Sequence, residues 1–469
     1  MGRIGDCNRI HSSVSSRVTK VDDRQRLRIA FFTPLDPQRT GISDYSEELL
    51  PYLQPSADID LVLDGYRPTS NWEGKGFGVI SASDFRASGK TYDVVVYQIG
   101  NNLAYHGYMV PFLRDIPGVV VLHDYSLSYL MLGLTLLQGD FRSLKDMLRP
   151  DYGADCGHIA IQLLFNRIDH YAVEVARPIV EMSRGIIVHN EYAGRILAGK
   201  FPGTRIRVIR HATPIRPLRD DVRELRTRYG LSPDGPIVAS VSTLSYNKRL
   251  GLVLGAVRDV QAKFPGLKFL LVGQGNLGAQ ARRLIADYGL RDTVLQTGWL
   301  PPEAYLDHIA MADVVVDLRY PSAGETSGSS LRALQASKPL VVSAHGSFLE
   351  FPDDCVIKVP LGDGEQVRLA QELVQLLSRP EKRESFGAAA RRYAETCLRR
   401  EDAARLYLEF LHEIVDTQSA PVRRWSFPPP EKKSFAAWPV GQLYRFCRML
   451  SYVRQYGPGA TVRRALRGS

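Results

Sequence analysis

The stretch Arg319-Tyr320-Pro321-Ser322-Ala323-Gly324-Glu325-Thr326-Ser327-Gly328-Ser329-Ser330-Leu331-Arg332 follows the apolar run Val314 to Leu318 and precedes a helical pattern that stops at Lys338-Pro339. Such a run reads as a buried parallel strand, and the proline closes the helix. The segment between is a strand-to-helix loop rich in Gly, Ser and Thr, with one carboxylate, Glu325, at its centre. Loops of this kind aim free backbone N–H groups and a helix dipole at an anion. A carboxylate would repel a phosphate, so Glu325 suits hydroxyl groups, as on a sugar. A Ser-rich helix cap with a solvated Glu is the plainer use of the same residues. The remainder of the chain decides between them.

Working outward, short apolar runs alternate with amphipathic helical patterns almost throughout, the signature of parallel α/β layers. Strands are expected at 27–32, 60–63, 93–98, 118–123, 185–189 and 205–209, then at 237–242, 268–272, 294–297, 313–318, 340–343 and 356–359. Helices are expected at 42–53 and 158–182 in the first half, and at about 249–264, 279–288, 302–311, 328–336 and 364–378 in the second. The pattern restarts near residue 235, and Asp93-Val94-Val95-Val96 repeats as Asp313-Val314-Val315-Val316. The expected fold is α/β, with two Rossmann-like doubly wound domains facing across a cleft and joined near 214–234. Ligands of such domains bind at the C-terminal strand ends, at a topological switch point. A long helical region, 388–415 with a break near Arg399-Arg400, follows, and Pro428-Pro429-Pro430 marks a linker.

A length of 469 residues calls for two or more domains, and 44% hydrophobic with 23% charged residues is a globular composition. No apolar run approaches the ~20 residues that cross a bilayer; Tyr129 to Leu137 reads as a buried helix. Residues 1–26 are polar and Arg/Ser-rich, which predicts a disordered tail without a signal-peptide core. Met1-Gly2 is not a myristoylation start, because Asp6 stands where Ser or Thr is required. Cys7, Cys156, Cys355, Cys397 and Cys447 lie far apart, which suits reduced thiols in a cytoplasm.

The net charge is +10, and residues 420–469 hold ten Lys/Arg against Glu431 alone. Nearly the whole excess therefore sits in the tail, a tether for anionic lipid or nucleic acid. Leu443, Phe446, Cys447, Leu450 and Val453 fall at helical spacing between arginines. That segment lies on an anionic membrane surface or docks on the body. No aromatic-basic recognition module supports nucleic acid.

Several strand ends carry polar chemistry. Gly41, before the first long helix, permits close approach of a ligand or serves a simple turn. His123 ends a strand and either faces the cleft or caps the next helix; His189-Asn190 and His211 repeat the placement more weakly. Gln98 to Asn102, with His106 beyond, fits a binding lip or an Asn/Gly turn. Lys248-Arg249 precedes a helix, where cations oppose the dipole unless an anion is bound. Gly273-Gln274-Gly275 is not a dinucleotide fingerprint, and Asp58-Ile59-Asp60 lies at the strand end away from the cleft. No metal site is expected.

Together these residues resemble the GT-B glycosyltransferases of family 4, which are retaining enzymes, over about residues 27 to 416. Gly41 matches that family's N-terminal glycine turn, His123 its strand-end histidine beside the donor sugar, and Lys248 the lysine of its phosphate-binding basic pair. The family's arginine of that pair is absent; Thr243 stands nearby and Arg249 is the candidate substitute. Glu325 matches the first Glu of the Glu-x7-Glu motif, which contacts the donor hexose. The second Glu is replaced by Ala333 or, aligned on Lys338-Pro339, by Arg332, a variant resembling a bacterial branch of the family.

The resemblance implies an acceptor-side domain at 27–214, a nucleotide-sugar domain at 215–398, a helix at 399–416 returning to the first domain, and a basic tail at 417–469. It implies a hexosyltransferase that uses a nucleotide-diphosphate sugar as co-substrate, without a metal or other cofactor. His123, Lys248 and Glu325 would be catalytic; Gly41, Arg249, Thr326, Ser327, Gly328, Ser329 and Arg332 would bind the donor. The implied partners are a nucleotide sugar and a glycan or lipid-linked acceptor of polysaccharide biosynthesis, met in the cytoplasm or at the inner membrane face. A non-catalytic sugar-nucleotide or glycan-binding scaffold and a sugar-nucleotide epimerase are the alternatives.

Overall fold

The computed structural model describes residues 25–417 except Thr243 and Asn276, then 422–425, 427 and 437–456, with side chains of the last helix from 440 to 450. The expectations for residues 1–24, for Pro428-Pro429-Pro430 and for residues 457–469 lie outside the described residues. Two parallel sheets carry the chain. The first contains β1 (Leu27–Phe32), β2 (Ala57–Leu63), β3 (Gly78–Ser81), β4 (Val94–Ile99), β5 (Val119–Leu122), β6 (Gly185–Val188) and β7 (Ile206–Val208), in the order β3-β2-β1-β4-β5-β6-β7. The second contains β8 (Ile237–Val241), β9 (Lys268–Val272), β10 (Val294–Gly298), β11 (Val314–Asp317), β12 (Leu340–Ser343) and β13 (Val356–Val359), in the order β10-β9-β8-β11-β12-β13. In each sheet the order reverses beside the first strand, between β1 and β4 and between β8 and β11. Those reversals open the crevices in which such folds bind ligands.

The strands form where β-branched runs can be covered by helices on both faces. Val94 to Val96 and Val314 to Val316 are all buried. The edge strand β3 was not expected: its Gly-Val-Ile-Ser run is half-buried throughout and carries no alternation. The expected single helix over 158–182 is instead a helix Cys156–Leu164, a 3-10 turn His170–Ala172 and a helix Arg177–Met182. Asn166 at φ +53 reverses the chain after the first piece, and Pro178 sits in the first turn of the last.

Two helices follow the second sheet, Pro380–Cys397 and Arg400–Asp416, so the break expected near Arg399 is present. The second of them packs into the first domain. Its Tyr407, Phe410, Leu411 and Ile414 join Ile29, Phe31, Val96 and Ile187 in one core. Gly185 makes this possible, because a Cβ there would meet Ile414 Cδ1 at 2.8 Å and Phe410 Cζ at 2.9 Å. At ~1.5–3 kcal/mol per buried large apolar side chain, the helix is a structural member of the first domain. Cys156, Cys355 and Cys447 are free thiols. Cys397 is disulfide-bonded, which departs from the reduced thiol expected there.

Candidate active site

The Gly/Ser/Thr-rich loop leaves β11 at Asp317 and enters the helix Gly328–Gln335. Ser327 caps that helix, its side chain accepting from the Ser330 N–H. Asp317 is buried at the strand's C-terminal tip and collects several donors. Arg319 Nε and Nη2 reach it at 3.1 and 3.3 Å, and the Ser330 hydroxyl donates at 2.7 Å. The Ser327 hydroxyl also donates to it, and Lys248 Nζ lies 3.4 Å away. Arg319 continues to Glu325, its Nη1 donating to Oε1 at 3.2 Å. The other Glu325 oxygen accepts from the Ser322 hydroxyl and the Ala323 N–H, both at 2.8 Å. Two cations and two carboxylates thus form one buried network at the switch point.

Burial alone would raise the Asp317 carboxyl, but Arg319 and Lys248 outweigh it and hold it well below the usual range. Glu325 behaves the same way: burial opposes ionisation, yet Arg319 lowers it. Burial would lower Arg319, and its two carboxylates raise it instead. Lys248 is the poorly balanced member. Burial and the neighbouring Arg319 pull its ammonium down to about 8, against Asp317 and Glu325. It stays protonated at neutral pH, in a pocket that would welcome a further anion.

Across the cleft, His123 follows β5 and is held by Gln98, whose Oε1 lies 2.8 Å from its Nε2. Gln98 Nε2 donates to the Tyr407 hydroxyl at 3.4 Å, and the Tyr45 hydroxyl donates to it at 3.1 Å. With Gln98 Oε1 as acceptor, the proton belongs on Nε2 and Nδ1 keeps its lone pair. His123, His189 and His211 ring Tyr45 at centroid distances of 5.1, 4.9 and 4.8 Å. Burial, reinforced by the neighbouring imidazoles, keeps His123 far below its ordinary value, so it is neutral. The next residue, Asp124, accepts from the Asn101 N–H at 2.9 Å. Burial and then the Glu325 charge push its carboxyl up to about 7.

The two halves touch at the loop that follows β11. The N–H of Tyr125 donates to the Ala323 carbonyl at 2.9 Å, and Asn190 Nδ2 donates to the Gly324 carbonyl at 2.9 Å and to the Thr326 hydroxyl at 3.0 Å. Gly324 has φ +77, and a Cβ on it would stand 2.0 Å from Tyr125 Cδ1. Only glycine meets both conditions.

Of the residues singled out from the sequence, Lys248, Glu325, Thr326, Ser327, Gly328 and Ser329 gather around β11. His123 faces them through its neighbours Asp124 and Tyr125. Gly41 is exposed at the start of the helix Gly41–Leu53, with open space where a side chain would be. Arg249 turns away to buried Glu365, Nη2 to Oε2 at 2.5 Å. Arg332 crosses to Glu48 of the first domain at 2.8 Å, and Arg400 of the returning helix binds the same carboxylate. Both arginines are therefore already paired by protein carboxylates. Sequence reading gave no role to Asp317, Arg319, Asp124 or Glu48. A carboxylate closing an apolar run at Asp317 was the one visible signal. Among the described residues no group of three or more His, Cys, Asp or Glu side chains could hold a metal.

The family described as Glycosyl transferases group 1 matches residues 221–393. A GDP-mannose-dependent alpha-(1-6)-phosphatidylinositol monomannoside mannosyltransferase of Mycolicibacterium smegmatis is 27% identical over 36% of this chain and 46% of its own. A 2-deoxystreptamine glucosyltransferase of Streptomyces kanamyceticus is 26% identical over 46% of this chain and 57% of its own. The chain thus spans about half the length of these relatives. Among solved structures, sucrose-phosphate synthase of Thermosynechococcus elongatus superposes with a TM-score of 0.60 at 18% identity, over 83% of this chain and 99% of that one. HepE of Anabaena in complex with UDP and glucose gives 0.58 at 16% identity, over 82% of this chain and all of that one. The chain has the GT-B fold, and its second domain matches the group 1 glycosyltransferases.

Proposed function

We propose that the chain is a retaining glycosyltransferase that moves a hexose from a nucleotide-diphosphate sugar to a glycan or lipid-linked acceptor, without a metal. The observation that carries this reading is the network of Lys248, Arg319, Asp317 and Glu325 at the tip of β11, faced by His123 of the other domain. The diphosphate sits against Lys248 and the N–H groups at Ser327 to Ser329. As the bond from the sugar C1 to the diphosphate oxygen breaks, negative charge grows on the leaving group. Lys248, short of balancing charge, takes up that charge better than it binds the ground state. Arg319 keeps Glu325 ionised and aimed, so that its carboxylate accepts from hexose hydroxyls. Neutral His123 offers Nδ1 to a further sugar hydroxyl. Retention follows from delivery of the acceptor on the face the leaving group vacates, with that group taking the acceptor proton. No separate carboxylate base is then required.

The names of the relatives, one acting on a phosphatidylinositol mannoside and one on 2-deoxystreptamine, support a lipid-borne or small soluble acceptor. A panel of nucleotide sugars tested by thermal shift finds the donor, since ligand at a hundred times its Kd adds ~2.7 kcal/mol of stability. Donor hydrolysis without acceptor then separates a transferase from a silent scaffold, and product analysis separates it from an epimerase.

A further inference from the structure

The C-terminal helix Ala437–Tyr456 has two apolar sides. It seats on residues 136–138 and on the helix Cys156–Leu164 of the first domain, and touches the helix Ala279–Asp287 of the second. On the seated side Tyr444 is fully buried, and a Cβ on Gly441 would lie 3.2 Å from the Leu137 carbonyl. Arg448 lies over the rings of Tyr129 and Tyr444 at 5.9 and 5.7 Å. At ~100° per residue, Leu443, Phe446, Met449 and Leu450 fall on an arc roughly opposite Tyr444. These four are 38%, 52%, 42% and 42% exposed. Ile161 and Phe165, also exposed, stand on and just after the helix packed beside it. Single exposed apolar residues are ordinary on a protein surface; this concentration on two adjoining helices is not.

The charge around this surface is mostly positive. From Ala437 to Leu450 the helix holds Arg445 and Arg448 and no acid. The helix Phe141–Tyr152, packed against Cys156–Leu164, borders an open groove of about 750 Å³ lined by Arg142, Lys145, Arg149 and Arg423, where Asp146 pairs with Arg142 and Arg149 and Glu181 with Arg423. Bulky apolar side chains beside a mostly cationic surface fit the acyl–headgroup boundary of an anionic bilayer, which takes both at once. Nucleic acid would leave the apolar arc unused. Among the described residues no helix is long and apolar enough to cross a membrane, so contact here is with its surface.

We infer that the outward arc of Ala437–Tyr456, with Ile161 and Phe165, docks on an anionic lipid surface. The seated side of the same helix reaches toward the cleft. Tyr129 beneath Arg448 adjoins Tyr171, and Tyr171 meets Tyr246, two residues before Lys248. The docked protein would therefore hold its cleft beside lipid-borne acceptors, a consequence that rests on the transferase reading while the docking does not.

The test is co-sedimentation of the full chain with vesicles of phosphatidylcholine alone or mixed equally with phosphatidylglycerol. Wild type should pellet with the mixed vesicles and stay in solution with the neutral ones. Phe446→Glu with Leu450→Glu should weaken pelleting by about tenfold or more, with an unchanged unfolding midpoint. Ile161→Glu with Phe165→Glu should do the same. Wild type that ignores both vesicles, or glutamate variants that pellet as before, would overturn the inference. So would a concentration-dependent dimer abolished by Phe446→Glu, which would put a second copy on the arc. Donor turnover in solution is read separately, so loss of vesicle binding leaves the transferase assignment standing and loss of turnover leaves the docking standing.

Discussion

Arg319 donates from one guanidinium to Asp317 and, through Nη1 at 3.2 Å, to Glu325, so a single buried cation sets the direction of the Glu325 carboxylate. Removing one partner of such a network strands the others. Arg319→Met should therefore destabilise the fold by ~3–5 kcal/mol, read by chemical denaturation. Arg319→Lys keeps the charge but cannot span both carboxylates; it should hold most of that stability yet bind donor less tightly.

Asp124 gives a pH signature. Its carboxyl is raised to about 7, above the unfolded value of ~3.9. It therefore binds its proton more tightly in the fold than in the unfolded chain. Native stability gained by that proton is present below the unfolded value and is lost as pH rises through about 7. Asp124→Asn keeps an acceptor for the Asn101 N–H and removes the charge. It should raise stability by ~1 kcal/mol or more above neutrality and change little in mild acid, measured as unfolding midpoints across pH.

Gln98 controls the protonation of His123. Gln98→Glu places a carboxylate at the imidazole Nε2, 2.8 Å away in the present geometry. That charge raises the His123 pKa and should add an acid-side titration to the donor Kd, beyond the alkaline limb of wild type. Rescue of a wild-type profile by the original amide alone would tie the effect to the tautomer.

Gly324 of the second domain packs directly on Tyr125 of the first. Gly324→Ala forces a non-glycine residue to φ +77 and into the ring of Tyr125. A loss of ~1–3 kcal/mol is expected from the backbone term alone. Pairing it with Tyr125→Ala relieves the clash, so a double-mutant cycle should show coupling of about 1 kcal/mol or more.

The strand plan was legible because parallel strands buried on both faces are continuous apolar runs; β1, β9, β12 and β13 have the expected bounds. Helix-forming composition over 158–182 hid the break at Asn166, whose left-handed φ is a property of the folded turn. Half-buried β3 lacked a pattern to read. At the site, Lys248 and Glu325 could be found because each breaks a local rule, a cation at a helix start and an acid in a phosphate-type loop. Arg319 could not, since an arginine after a strand reads as solvated until Asp317 and Glu325 are seen on either side. Arg332 was read toward the donor, and its partner Glu48 lies 284 positions away. The second apolar side of the C-terminal helix emerges only once Tyr444 is known to be buried.

The sharpest test is the kinetics of Lys248→Ala with the donor identified by thermal shift. A cation that meets leaving-group charge should, when removed, lower kcat on the order of a hundredfold while donor KM changes far less. In wild type, donor binding should weaken as pH rises through about 8, where Lys248 gives up its proton, and the variant should lack that limb. Turnover equal to wild type in Lys248→Ala, with the alkaline limb intact, would contradict the assignment of this cleft to diphosphate departure.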